Sequence, residues 1–142
     1  MQIRCLAPSY EIINKEGVGN NESSMVLLLE KGDFQMLFTG DVEGEGEEEL
    51  TRILEKTGVS DSFILKVAHH GSKNSTSESF LNVANPRISI ISCGKNNWYG
   101  HPHEETLFRL YNSKSDVYVT KDCGAVKVEV NKKSIRIIPF NR

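Results

Sequence analysis

The first 68 positions of the 142-residue chain hold no histidine; His69, His70, His101 and His103 all fall between positions 69 and 103. Any site built on imidazole is therefore assembled late. Cysteine is also scarce: Cys5, Cys93 and Cys123 stand too far apart for a zinc-ligand or redox pair, which excludes a disulfide framework. They read as reduced, mostly structural thiols. No apolar run approaches the ~18 residues of a membrane span, and the residues after Met1 lack the length and cleavage pattern of a secretory signal. The piece is expected to be soluble, with Met1 either native or a boundary imposed on a longer protein. Nucleophile-elbow, phosphate-loop and dinucleotide patterns are missing, as are repeats and low-complexity stretches.

What is present fits one domain, 1–142, of the α/β or α+β class. Apolar runs of strand length recur between turn signals at 3–6, 25–29, 34–38, 63–67, 88–91, 117–119, 126–130 and 135–138, the last two forming a hairpin across Asn131-Lys132-Lys133-Ser134. Helical spacing of Leu50, Ile53 and Leu54, of Phe80, Leu81 and Ala84, and of Leu107, Phe108, Leu110 and Tyr111 predicts about three helices among the strands. Ser75-Thr76-Ser77-Glu78 reads as a capping box, and Pro102 as the first turn of a helix ahead of Glu104 and Glu105. The net charge of −2 conceals an asymmetry: positions 1–65 carry 5 Lys/Arg against 13 Asp/Glu, positions 66–142 carry 12 against 6. The basic half holds every histidine, which suits an anionic substrate. Scattered solvated lysines would give the same count. The acidic stretch 43–49 reads as solvated carboxylates that complement a helix dipole, with cation binding as the minority view.

The chemistry concentrates where apolar strands end. Asp41 follows Thr39-Gly40 after one such run, and its carboxylate suits a ligand bridging two divalent ions. His69-His70-Gly71-Ser72 ends another. Neighbours on a regular strand point to opposite faces, so one ring is assigned to metal and the other to proton transfer or substrate, unless the turn at Gly71 alters this. His101 and His103, two apart on a loop, offer a further ligand or a phosphate contact. Ser72, Ser75 and Thr76 are candidate contacts to phosphate oxygens, although turn formation explains them equally well.

Taken in order, Asn20-Asn21-Glu22-Ser23-Ser24-Met25-Val26, Thr39-Gly40-Asp41, Leu65-Lys66-Val67-Ala68-His69-His70-Gly71-Ser72, Tyr99-Gly100-His101-Pro102-His103 and Thr120-Lys121-Asp122-Cys123-Gly124-Ala125 resemble the metallo-β-lactamase-fold domain of ComEC-type competence proteins. The resemblance runs from about residue 20 to about residue 130. It implies the second half of an αββα sandwich with a mixed sheet. It also implies attachment to a membrane channel for DNA uptake at the bacterial cell membrane, with this domain on the extracytoplasmic side. The implied activity is metal-dependent hydrolysis, with zinc or manganese, of the DNA strand that is not imported. By similarity Asp41 is the bridging ligand, His70 the late histidine ligand, His69 its catalytic neighbour, and His101 a substrate or second-layer group. The Asn20-Asn21 segment falls near a position where many relatives outside this subgroup carry another histidine.

The departure from the pattern matters as much. The early His-x-His-x-Asp-His motif, which supplies most of the metal ligands in that family, is missing, so the two-metal site is expected to be incomplete and this piece inactive or nearly so. Its expected partners are DNA, the N-terminal half of the same domain, the channel portion of the parent protein and, through an uncovered sheet face, a second copy. The alternatives are a hydrolase of another phosphodiester, or a non-catalytic relic or interaction module of the same fold.

Overall fold

The computed structural model describes residues 1–131 and 134–141. Eight strands form, each on one of the expected apolar runs: β1 (Gln2–Ala7), β2 (Val26–Lys31), β3 (Phe34–Phe38), β4 (Ser62–Lys66), β5 (Ile88–Ile91), β6 (Asp116–Val119), β7 (Val126–Val130) and β8 (Ile135–Pro139). The first six make one mixed sheet in sequence order, antiparallel from β1 to β3 and parallel from β3 to β6. β7 and β8 form a separate antiparallel hairpin. Of the turn expected to join them, Lys132 and Lys133 lie outside the described residues.

The three expected helices are α2 (Gly44–Thr57), α3 (Glu78–Ala84) and α4 (Glu104–Asn112), each crossing between neighbouring parallel strands. Crossovers of one hand along a sheet that grows in one direction put all three on the same face. Their apolar stripes, Leu50 and Leu54, Phe80, Leu81 and Ala84, and Leu110, meet Leu28, Leu37, Phe63, Leu65 and Ile91 in the main core. Two one-turn helices, α1 (Tyr10–Asn14) and α5 (Thr120–Cys123), were not foreseen, because a single turn leaves no periodicity to read. The alternation of strand residues sends Phe34, Ile64 and Ile90 to the other face, where, among the described residues, the hairpin residues Val126, Val128, Val130, Ile135 and Ile137 pack over them and bury them.

Two helix starts differ from expectation. Ser77 caps α3, its Oγ accepting from Phe80 N at 3.2 Å, while Ser75 is buried in the preceding loop, so the capping box does not form. Pro102 stands two residues before α4, whose N-cap is His103. A cavity of about 890 Å³ opens at the amino ends of the parallel strands, between Asp33, Phe34, Arg87, Asp116 and the hairpin residue Ile135. The candidate residues gather at the opposite, carboxyl end, where ligands of parallel sheets bind.

Candidate functional site

Three strand ends and one loop build the site. β3 runs out through Thr39, which donates its hydroxyl to Lys66 O at 2.6 Å, into Gly40 and Asp41. Gly40 has φ +55°, and a Cβ there would stand 3.1 Å from Met25 O, so the chain turns tightly enough to deliver Asp41 at the edge. β4 ends in the turn Ala68–Gly71, tied back by His69 N donating to Gly40 O at 3.0 Å. Here the strand rule of opposite faces does not apply. His69 and His70 both adopt the left-handed region, φ +45° and +55°, and their ring centroids lie 6.5 Å apart on one side of the sheet edge. Gly71 must be glycine for a reason of contact: its φ is +85°, and a Cβ would meet Pro102 Cβ at 2.6 Å. His103 N donates to Gly71 O at 2.9 Å, so the two histidine motifs are locked together.

Hydrogen bonds fix how the imidazoles present themselves. His70 Nδ1 lies 2.7 Å from Ser92 O; a carbonyl only accepts, so Nδ1 carries the proton and Nε2 keeps its lone pair. That Nε2 faces Asp41 Oδ1 at 3.9 Å. His69 Nδ1 lies 3.2 Å from Glu43 Oε2, and Asn21 Nδ2 donates to Glu43 Oε1 at 3.0 Å. Glu43 thus orients His69 with its Nε2 turned away from the carboxylate. Lys73 N donates to His103 Nδ1 at 3.1 Å, which leaves the His103 proton on Nε2. His101 is only 6% exposed and sits among the others, its ring 5.6 Å from His69, 6.3 Å from His70 and 4.8 Å from His103. Burial, reinforced by the neighbouring imidazoles, holds its pKa below the ordinary range, with Asp41 opposing. Burial likewise lowers the Lys66 ammonium, against the pull of Asp41, and raises the Cys93 thiol, which is therefore a poor nucleophile.

Asp41, His69, His70, His101 and His103 are therefore brought together from positions up to 62 residues apart. Ser72, Ser75 and Thr76 are not presented with them. All three are buried; Ser75 Oγ donates within the loop to Ala68 O and Ser72 O, and Ser72 Oγ accepts from Asn74 N. They shape the loop that carries the histidines, and Thr76 Oγ1 is buried with no hydrogen-bond partner at a residue with φ +57°. Residues that the sequence reading missed hold this loop in place. Glu47, 6% exposed, accepts from Thr76 N and Ser77 N, and Arg109 donates to Lys73 O, Ser75 O and Thr76 O. The acidic stretch is thus not uniformly solvated: Glu43 and Glu47 turn inward while Glu45 pairs with Lys15 at the surface. The spacing offers one retrospective signal, since positions 43 and 47 are one helical turn apart on the face that carries Leu50 and Leu54.

The donor set decides whether the site fits an ion. Asp41 and His70 face each other as two donors, and among the described residues no group of three His, Cys, Asp or Glu side chains could hold a metal. Catalytic zinc takes about three protein ligands and structural zinc four. The residues present do not, by themselves, fit a resident metal.

Comparison with known proteins shows the family. The family model of the metallo-beta-lactamase superfamily matches residues 14–95, which include Asn21, Asp41, Glu43, His69 and His70. The chain is 41% identical over 130 residues to ComE operon protein 3 of Bacillus subtilis and 38% identical over 122 residues to Recombination protein 2 of Haemophilus influenzae. It is 30% identical over 122 residues to Competence protein ComA of Neisseria gonorrhoeae. These matches take in 89, 84 and 86% of this chain but only 16, 15 and 17% of those proteins, so the chain spans about a sixth of their length.

Proposed function

The chain belongs to the metallo-beta-lactamase superfamily, as a domain homologous to a small part of competence proteins, and from that premise we propose that it carries the late half of a phosphodiester-hydrolysing site acting on DNA during uptake. The observation that carries the proposal is the convergence of Asp41, His69, His70 and His101 on one carboxyl edge, with the ring orientations of His69 and His70 fixed by hydrogen bonds. Asp41 and the bare Nε2 of His70 are this chain's contribution of ligands to a zinc or manganese centre. The remaining donors come from the N-terminal half of the domain, in a longer protein at the bacterial cell membrane whose channel portion leaves this domain on the extracytoplasmic side. His69, held by Glu43, takes or gives a proton at Nε2. His103 donates its Nε2 proton to a phosphate oxygen, and His101 fills the floor between them.

The face expected to be uncovered is closed over Phe34, Ile64 and Ile90 by the hairpin, so the N-terminal half would pack on the half-buried apolar residues around them. Without that half the half-buried rim of the hairpin would be the contact for a second copy of this chain, which light scattering would register as self-association. The shortage of donors also favours a rival reading, a non-catalytic module that keeps the fold. One experiment separates them. The longer protein, given linear DNA and manganese or zinc, is expected to cleave it, and Asp41→Ala and His70→Ala to abolish cleavage with the circular dichroism spectrum unchanged. Glu43→Gln should cost about 10- to 100-fold, the usual effect of losing a carboxylate that orients an active-site histidine. Turnover unaffected by the Asp41 and His70 substitutions would remove the ligand assignments, and no cleavage by the longer protein would favour the non-catalytic module.

A further inference from the structure

Trp98 is the one tryptophan of the chain, and it is 100% exposed; Tyr99 beside it is 78% exposed. An indole fully in water forgoes the largest burial a side chain can offer, and nothing in the fold uses it. Nor is it the tip of a slack loop. Asn97 ties the loop into a closed turn, donating through Nδ2 to Gly94 O at 2.9 Å and His101 O at 2.8 Å and accepting His101 N at 2.7 Å. The turn leaves both aromatic rings exposed, with Tyr99 beside the histidine cluster.

The Tyr99 ring is stacked on His101, with centroids 5.7 Å apart and an interplanar angle of 21°. His101 is in turn stacked on His70 at 6.3 Å and 25°. A column of flat rings therefore leads from the exposed Tyr99 to the imidazole facing Asp41. Lys95 in the same loop and Lys73, whose main chain bonds His103, are both exposed and add positive charge to these two loops. Flat exposed aromatic faces beside lysines, at a site for phosphodiesters, are how proteins hold unpaired nucleobases without reading their sequence.

We propose that Trp98 and Tyr99 form a stacking platform for the bases of single-stranded DNA, seating the strand so that its backbone crosses the histidine cluster. This deepens the hydrolytic reading above and rests on it for the identity of the anion. A duplex keeps its base faces stacked inside and offers none to the platform, so the substrate is the unpaired strand.

As the sole tryptophan, Trp98 reports on its own contacts. The chain is titrated with a twelve-nucleotide oligothymidylate in EDTA, and tryptophan fluorescence is followed. Saturable quenching is expected, weakened about 5- to 150-fold by Tyr99→Ala and to a similar degree by an abasic strand of equal length and charge. Equal midpoints for the single strand, its abasic analogue and the duplex, or no quenching by any of them, would overturn the platform; the latter result would leave the rings to a protein partner. The hydrolytic reading fails separately. If the longer protein cleaves neither ordinary nor abasic DNA while quenching persists, the reaction is lost and the platform stands.

Discussion

The two faces of the six-stranded sheet are made by the same strands from the same kinds of residue, yet they are finished differently. Phe63 and Leu65 of β4 point into a layer of three helices and are fully buried. Ile64, between them and as fully buried, lies instead under a two-stranded hairpin. The helix-covered face is closed by the local crossovers that the parallel strands require, so the chain completes it alone. The hairpin face draws its cover from the end of the chain and leaves half-buried apolar residues around its three buried ones. The difference teaches where this piece is self-sufficient. Its site follows the same division: the helix side supplies Glu47 and Arg109 to hold the histidine loop rigidly, whereas the ligand set is short of donors.

The contrast can be broken by substitution, beginning with the largest effect. Phe63→Ala should cost about 3–5 kcal/mol in urea unfolding, because the helices around it cannot close the cavity. Ile64→Ala, one residue away, should cost about 2 kcal/mol, since the hairpin can settle into the gap; equal losses at both positions would erase the distinction between the faces. Glu47→Gln should cost about 1–3 kcal/mol, the penalty for weakening a buried acceptor of two main-chain N–H groups, and a near-neutral result would return Glu47 to the solvated stretch. The smallest effect sits at the rim of β2. Hydrogen bonds from Arg4 and then Gln35 hold the Glu30 carboxyl below its ordinary range. Its contribution is therefore present above the ordinary carboxylate pKa and is lost as pH falls through the lowered folded value. For a partly exposed pair this amounts to under about 1 kcal/mol, and Arg4→Ala should flatten the acid limb of the stability curve correspondingly.

The sequence made the strands legible because alternation and turn residues are local, and it made the site legible because its residues stand at strand ends. What it hid was set by contacts distant along the chain. Glu43 and Glu47 have the composition of a solvated helix start, and only the return of the chain 26 residues later to His69, and 29 residues later to Thr76, gives them their roles. The left-handed pair His69 and His70 defeated the expectation of opposite faces, since no side-chain pattern marks a non-glycine left-handed turn. Ser75 and Ser77 offer the same hydroxyl two residues apart, and burial of one chose the other as the cap. Trp98 was passed over because exposure cannot be read from a single aromatic residue in a loop.

The central claim is that this chain holds two ligands of a metal centre and draws the rest from a longer protein. Elemental analysis of the 142-residue chain beside the longer protein, both dialysed after exposure to zinc and manganese, tests it most directly. Substoichiometric metal in the chain and stoichiometric metal in the longer protein, lost on His70→Ala, is the expected result. A full complement of ion retained by the chain alone would contradict it.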